Sequence, residues 1–250
     1  MKSVMKLCGT LYGLGAGAGN REWLTLEADR ILREAPIIAL PYGADGHPGR
    51  AEQIIAPYLG PEKTLLRLQF PMTRNPELLH QAWEDAADET LSYLRKPVDV
   101  VFVTEGDPSL YSTFSYLAEA VETKCPEIKI RVVPGISSIL AGPARWGHAL
   151  TKSHQSLAII PASHNLEKVA KALDLCDTVV ILKVAQVFDE IYNLLASRQL
   201  LTNTVYLSHI GLNDEEMIAD ITMLKERPLP YMSLLIVSSN GQKPTKAGNP

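Results

Sequence analysis

The segment VDVVFVTEGDPSLYST, residues 98–113, constrains the fold more than any other stretch of the chain. Its near-continuous apolar run predicts a parallel strand covered on both faces, because a half-exposed strand would alternate with polar residues. The run stops at Gly106-Asp107-Pro108. Glycine permits a sharp turn there, and proline, lacking an amide proton, favours the start of a helix, expected from about Ser112.

The same strand–turn–helix unit recurs on either side. Residues 5–14 read as a strand running into a glycine-rich turn, Gly13 to Gly19, and a helical stripe of Leu24, Ala28, Ile31 and Leu32 follows from Trp23 to Arg33. A strand is predicted at Pro36–Leu40, a helix at 51–59, a strand at 64–70 and an amphipathic helix at 76–95. Beyond residue 112 come a strand in IKIRVVPG and a helix in SSILAGPARWG. This alternation predicts an open parallel sheet with helices on both sides. A second set begins near Ser156, with strands in SLAIIPA, TVVILKV, TVYLSHIG and YMSLLIVS, two helices, and a polar stretch LNDEEMIADITML. Two α/β domains are therefore expected, 1–148 and 149–241. The tail 242–250 lacks apolar anchors and is expected to be disordered.

Composition narrows the function classes. The 250 residues are 46% hydrophobic and 21% charged, ordinary for a soluble globular chain. A formal net charge of −4 gives no general basic field for a phosphate backbone, so nucleic acid is not an expected partner. Cys8, Cys125 and Cys176 lie far apart, as reduced thiols of a cytoplasmic protein would. The start, MKSVMKLCGTLYG, fits neither a signal peptide nor a spanning helix, so the expected place of work is the cytoplasm, away from membranes. The histidines at 47, 80, 148, 154, 164 and 209 show no HxxxH spacing, and no protein-held metal is expected. Trp83 and Trp146 read as core residues.

Ligands in open α/β sheets bind beyond the carboxyl ends of the strands. Three such ends carry small and polar residues. In GLGAGAGN, residues 13–20, glycines let the backbone approach a ligand or simply make a tight turn, and their alternate spacing is not the dinucleotide fingerprint. In TEGDPSLYST, 104–113, Glu105 and Asp107 are acids two apart at a strand end, with Ser109, Tyr111, Ser112 and Thr113 adding hydroxyls. Asp107 fits either a helix cap or a contact to a ribose or ammonium group. In VPGISS, Ser137 and Ser138 open a helix, as caps or as ligand contacts.

The spans GTLYGLGAG, FPMTRNPELLHQAW, TEGDPSLYST, VVPGISS and VVILKV, in this order, resemble the tetrapyrrole methylases over roughly residues 7–240. GTLYG and the MTR…LLHQAW stretch point to the subgroup acting on carbon 20 of precorrin-2 or cobalt-factor II in cobalamin biosynthesis. The resemblance implies two α/β domains, the first with a mostly parallel sheet and the second with a mixed one, an active cleft between them and a homodimer. S-adenosylmethionine is the implied cofactor. It would meet Gly15, Gly17 and Ala18 of the first loop, then Gly106, Asp107, Leu110, Tyr111, Ser112 and Thr113, then Ser137 and Ser138, and finally Lys183 and Gly211. The tetrapyrrole would lie along the first loop and residues 41–50, near Asn20, His47 and Arg50. Arg50 and Arg74 suit its carboxylate arms, since guanidinium binds carboxylates bidentately. Glu105, Asp107 and His209 are the candidate bases for proton removal after methylation. The family's first loop usually reads GxGxGPGD, whereas this chain has Ala18 and Asn20 at the proline and aspartate positions, so Asn20 cannot serve as a carboxylate there. Competing readings are a methylase of RNA or protein on the same fold, a non-catalytic binder of tetrapyrrole or S-adenosylmethionine, and a nicotinamide dehydrogenase.

Overall fold

The computed structural model describes residues 7–43, 49–71, 73, 75–164 and 166–239. His47, Arg74 and the tail 242–250 lie outside the described residues. The chain forms two compact units, the first ending at Ser137 and the second beginning at Ser138.

The first unit runs β1 (Thr10–Gly15), α1 (Leu26–Glu34), β2 (Ile37–Tyr42), α2 (Arg50–Ile55), β3 (Thr64–Gln69), α3 (Pro76–Leu94), β4 (Val100–Thr104), α4 (Phe114–Lys124) and β5 (Lys129–Val133). Its sheet has the order β3-β2-β4-β1-β5, and every neighbouring pair is parallel. The unbroken apolar run of β4 follows from its place in the middle of that sheet. Val100 and Phe102 pack with Leu91 and Leu94 of α3 and Leu117 and Val121 of α4. Val101 and Val103 pack on the other face, with Ile31 and Leu32 of α1 and Ile54 and Ile55 of α2. Each of these four strand side chains is at most 1% exposed. Burying one valine- or phenylalanine-sized side chain contributes roughly 1.5–3 kcal/mol.

This arrangement decides where a ligand can bind. The two neighbours of β4 lead into α1 and α2 on one face, whereas β4 itself leads into α4 on the other. The chain leaving β4 therefore parts from the chains leaving β1 and β2. Such a topological switch point opens a crevice at the strand ends.

Local chemistry moves several predicted boundaries. The first helix begins at Leu26 rather than Trp23, because the Thr25 hydroxyl accepts the Ala28 amide at 3.1 Å and caps it. Residues 21–23 instead form a short 3-10 turn whose second amide, at Glu22, donates to Asn20 Oδ1 at 2.9 Å. At the far end of α1, Lys63 Nζ donates to the carbonyls of Leu32, Arg33 and Ala35. These groups have no helical partner and would otherwise rely on water.

The second unit comprises α5 (Ser138–Trp146), β6 (Leu157–Pro161), α6 (Leu166–Leu175), β7 (Thr178–Leu182), α7 (Phe188–Ser197), β8 (Thr204–Ser208), β9 (Glu216–Ile218) and β10 (Ser233–Ser238). Its sheet is mixed, in the order β6-β7-β10-β8-β9. Only β6 and β7 pair in parallel; the other pairs are antiparallel. Tyr206, Val179 and Ile181 pack with α6 and α7 in one core. Leu207 alternates with Tyr206 along β8 and meets α5, where a Cβ on Gly142 would come within 2.7 Å of it. That packing places α5 with the second unit, so the division falls before α5 and not at 148–149. The polar stretch 212–224 holds the short edge strand β9 and a 3-10 turn, Ile221–Leu224, whose Ile221 and Leu224 are fully buried. No described helix is long and apolar enough to cross a membrane.

Candidate active site

At the carboxyl edge of the first sheet the backbone comes together at four glycines, Gly15, Gly17, Gly106 and Gly135. The Gly17 amide donates to the Gly106 carbonyl at 3.2 Å and the Gly106 amide donates back at 2.9 Å, an isolated antiparallel bridge. A Cβ on Gly15 would lie 2.6 Å from the Gly106 oxygen and 2.7 Å from Gly135 Cα. One on Gly135 would lie 2.1 Å from the Gly106 oxygen. Real Cβ atoms do not come so close, so the junction of the β1, β4 and β5 ends excludes side chains. Gly17 and Gly106 have φ values of +80° and +68°, the left-handed region that glycine enters without steric cost. Space beside Gly106 is open, with no atom within 4 Å of a Cβ built there.

The predicted turn at Gly13–Gly19 is corrected by this geometry. Gly13 and Gly15 belong to β1, and only from Gly17 does the chain turn. Gly13 is needed for packing, since its Cβ would lie 2.3 Å from the Phe114 ring of α4. Gly15, Gly17 and Ala18 are buried, with Ala18 4% exposed. Asn20 is half-buried and caps the 3-10 turn through its side-chain oxygen, a role aspartate would also fill.

Asp107 is held within the protein. Its Oδ2 accepts the Gly135 amide at 2.9 Å, and its Oδ1 accepts the Ser109 amide at 2.8 Å and the Ser109 hydroxyl. Burial alone would raise this carboxyl, but the bonds from Ser109 and Gly135 outweigh it and hold the group below the usual carboxylate range. Asp107 does not cap α4, which starts later than expected, at Phe114. Ser112 serves that helix: its buried hydroxyl accepts the Phe114 amide at 3.2 Å and donates to Thr104 Oγ1 at 3.1 Å. Between them Leu110 and Thr113 are half-buried, while Tyr111 is 54% exposed and has a φ of +51°. A left-handed tyrosine costs roughly 1–2 kcal/mol, and such residues gather at functional sites.

Glu105, two residues away, is in the opposite situation. It sits at the end of β4, partly buried, and among the described residues its carboxylate has no hydrogen-bond partner. Burial pushes its pKa up to about 7, against the opposing charge of Arg50 at the start of α2. Two acids on one loop thus have separated protonation behaviour, the pattern by which a base is distinguished from a positioning group. Sequence spacing placed both acids at the strand end; it did not show that Gly135 takes one of them.

In the second unit, Lys183 and His209 directly follow β7 and β8 with φ values of +56° and +49°, and Gly211 has +82°. His209 Nδ1 lies 2.7 Å from Asp214 Oδ2, and its amide donates to the Met232 carbonyl at 3.1 Å. The Gly211 amide donates to Glu215 Oε2 at 2.6 Å. Asp214 and Glu215 escaped the sequence reading because they lie in a stretch that looks like an ordinary polar loop. Ser137 closes the first unit and Ser138 opens α5, both half-buried. Trp146 is buried, 7% exposed, and Trp83 stacks on Tyr116 at 4.4 Å between ring centres.

A family model described as Tetrapyrrole (Corrin/Porphyrin) Methylases matches residues 10–225. The chain is 32% identical over 231 residues to cobalt-precorrin-2 C(20)-methyltransferase of Salmonella typhimurium, covering 92% of this chain and 96% of that one. It is 36% identical over 178 residues to a probable cobalt-precorrin-2 C(20)-methyltransferase of Methanocaldococcus jannaschii, covering 71% and 74%. Among solved structures, a uroporphyrin-III C-methyltransferase from Thermus thermophilus, complexed with S-adenosylhomocysteine, shares the fold with a TM-score of 0.66 at 20% identity, covering 92% of this chain and 97% of that one. With the match spanning both units, the chain belongs to the tetrapyrrole (corrin/porphyrin) methylase family.

Proposed function

We propose that this protein transfers a methyl group from S-adenosylmethionine to carbon 20 of precorrin-2 or cobalt-factor II in cobalamin biosynthesis. The observation that carries this reading is the crevice at β4, where a side-chain-free backbone junction and open space at Gly106 adjoin a carboxyl with a pKa of about 7. The similarity to C(20)-methyltransferases at 32% and 36% identity favours this reaction over others on the same fold.

S-adenosylmethionine, when bound, supplies an electrophilic methyl group on a sulfonium. The chain's own residues bind and orient. Gly15, Gly17 and Ala18 with Gly106, Leu110, Tyr111, Ser112, Thr113 and Ser137 are the contacts assigned to it in the first unit, and Ser138, Lys183 and Gly211 those assigned to it in the second. Asp107 keeps Gly135 and the turn at Gly106 in register. Orientation alone is worth ~7–11 kcal/mol in the best cases, so no nucleophilic side chain is required. Glu105 accepts the proton lost from the methylated carbon, since a base works best with a pKa near the working pH. His209 is the alternative base, its ring fixed by Asp214. Asn20 and Arg50 are assigned to the tetrapyrrole, Arg50 meeting a carboxylate, whereas His47 and Arg74, which the family resemblance assigns to it as well, lie outside the described residues. The protein acts in the cytoplasm as a homodimer, with neither nucleic acid nor membrane as partner.

Anaerobic incubation with S-adenosylmethionine and either tetrapyrrole, followed by mass spectrometry of the product, tests the reaction class. A gain of one methyl on at least one substrate is expected. Binding of S-adenosylhomocysteine without methyl gain on either would favour a non-catalytic binder.

A further inference from the structure

The loop after β8 is braced in a way that methyl transfer chemistry does not itself require. His209 and Gly211 both take left-handed φ values, on either side of the buried Ile210. Gly211 has the widest conformational freedom in the loop, and fixing one residue's backbone costs roughly 1–2 kcal/mol. Its amide is captured by Glu215 Oε2 at 2.6 Å. Glu215 Oε1 in turn accepts Arg145 Nε and a terminal guanidinium nitrogen, each at 3.0 Å, and Arg145 Nε also reaches Oε2 at 3.3 Å. The Glu215 side chain is 11% exposed and Arg145 52%, so a nearly buried carboxylate is neutralised by a half-exposed guanidinium reaching from α5. Charge-assisted bonds of this kind are about twice as strong as neutral ones.

We infer that Glu215, held by Arg145, is a positioning residue that locks Gly211 in its left-handed conformation and so sets the affinity of the loop for S-adenosylmethionine. The inference rests on the reading that the loop at Gly211 meets that cofactor. Because the Gly211 amide is spent on Glu215, the loop offers a ligand its carbonyls: among the described residues, those of Ile210 and Gly211 accept no backbone hydrogen bond. Carbonyls recognise donors, and the cofactor carries them as amino, ammonium and hydroxyl groups. Glu215 is thereby removed from direct service as a counter-charge, although it is an acid beside the loop.

The test is titration calorimetry of S-adenosylhomocysteine against the full-length protein and its Glu215→Ala, Glu215→Gln, Glu215→Met, Arg145→Met and Gly211→Val variants, with KM and kcat for S-adenosylmethionine measured alongside. Glu215→Ala is expected to weaken binding at least tenfold and to act through KM more than kcat. Glu215→Gln keeps an oxygen for the Gly211 amide and is expected to stay within about threefold of wild type, whereas Glu215→Met, which fills the same space without an acceptor, is expected to bind as weakly as the alanine variant, a split that simple loss of packing would not show. Arg145→Met, at a half-exposed position, is expected to fall in between, and it decides the matter if the alanine variant does not fold. Unchanged affinity in Glu215→Ala and Arg145→Met overturns the lock. In that case a weakened Gly211→Val leaves the loop's contact with the cofactor standing, whereas an unchanged Gly211→Val removes that contact as well.

Discussion

Glu105 and Asp107 show how two like residues on one turn acquire different work. Asp107 spends both oxygens on Ser109 and on the amide of Gly135, 28 residues away. Glu105 has no such partner among the described residues and keeps its proton to about pH 7. As the base it must be ionised, so kcat should rise with pH through about 7, and Glu105→Gln should lose this limb and about 10²-fold in kcat. A pH–rate profile of both proteins checks this. The stability effect has a definite sign. The unfolded chain releases the Glu105 proton near 4.5, whereas the native state holds it to about 7. Native protein therefore binds more protons across that window, and wild-type stability falls as pH rises through it and levels off above. Glu105→Gln resembles the protonated form, so its melting temperature relative to wild type should be higher at pH 8 than at pH 5. For Asp107→Ala, thermal melting should show a loss of about 1–3 kcal/mol, since the Gly135 amide loses its acceptor. The sequence made the pair of acids conspicuous at a strand end. It did not separate their roles, because the partner that distinguishes them comes from another strand's loop.

The elements that build the site are joined by backbone contact, which glycine alone permits. Gly135→Ala and Gly15→Ala should each cost about 3 kcal/mol, as overpacking against immovable backbone does. Gly106→Ala meets no atom within 4 Å and should cost only the left-handed conformation, roughly 1–2 kcal/mol. Gly49→Ala, whose nearest neighbour would be the Pro41 oxygen at 3.6 Å, should be nearly neutral. Chemical denaturation of the four variants would give this order. Alternating glycines at 13, 15, 17 and 19 read in sequence as one tight turn. In the fold they divide, with Gly13 clearing the Phe114 ring, Gly15 admitting Gly135, and only Gly17 turning the chain. Periodicity reports which faces are apolar; it is silent on which distant strand approaches. For the same reason capping shifted the helix starts at Leu26 and Phe114, where Thr25 and Ser112 supply the oxygen.

Across the whole molecule, the parallel sheet of the first unit was legible from the uninterrupted β4 run, because burial on both faces leaves no polar alternation. The second unit was legible as α/β, but not its strand order. β8 and β10 are as apolar as parallel strands, since both faces of that sheet are covered, and antiparallel pairing leaves no separate mark on such strands. The division before α5 was likewise hidden, because Gly142 docks on Leu207, a residue far along the chain. The proposed homodimer should sediment at twice the 27.5 kDa of one chain, and a monomer at assay concentrations would set that assembly aside. The central claim is regiospecific methyl transfer. It is tested most directly by supplying S-adenosylmethionine with an isotopically labelled methyl group, anaerobically, with precorrin-2 or cobalt-factor II, and locating the label in the product by NMR. The label should appear at carbon 20, and its signal should fall sharply with Glu105→Gln. Label at a different ring carbon, or none with either tetrapyrrole, would contradict the account.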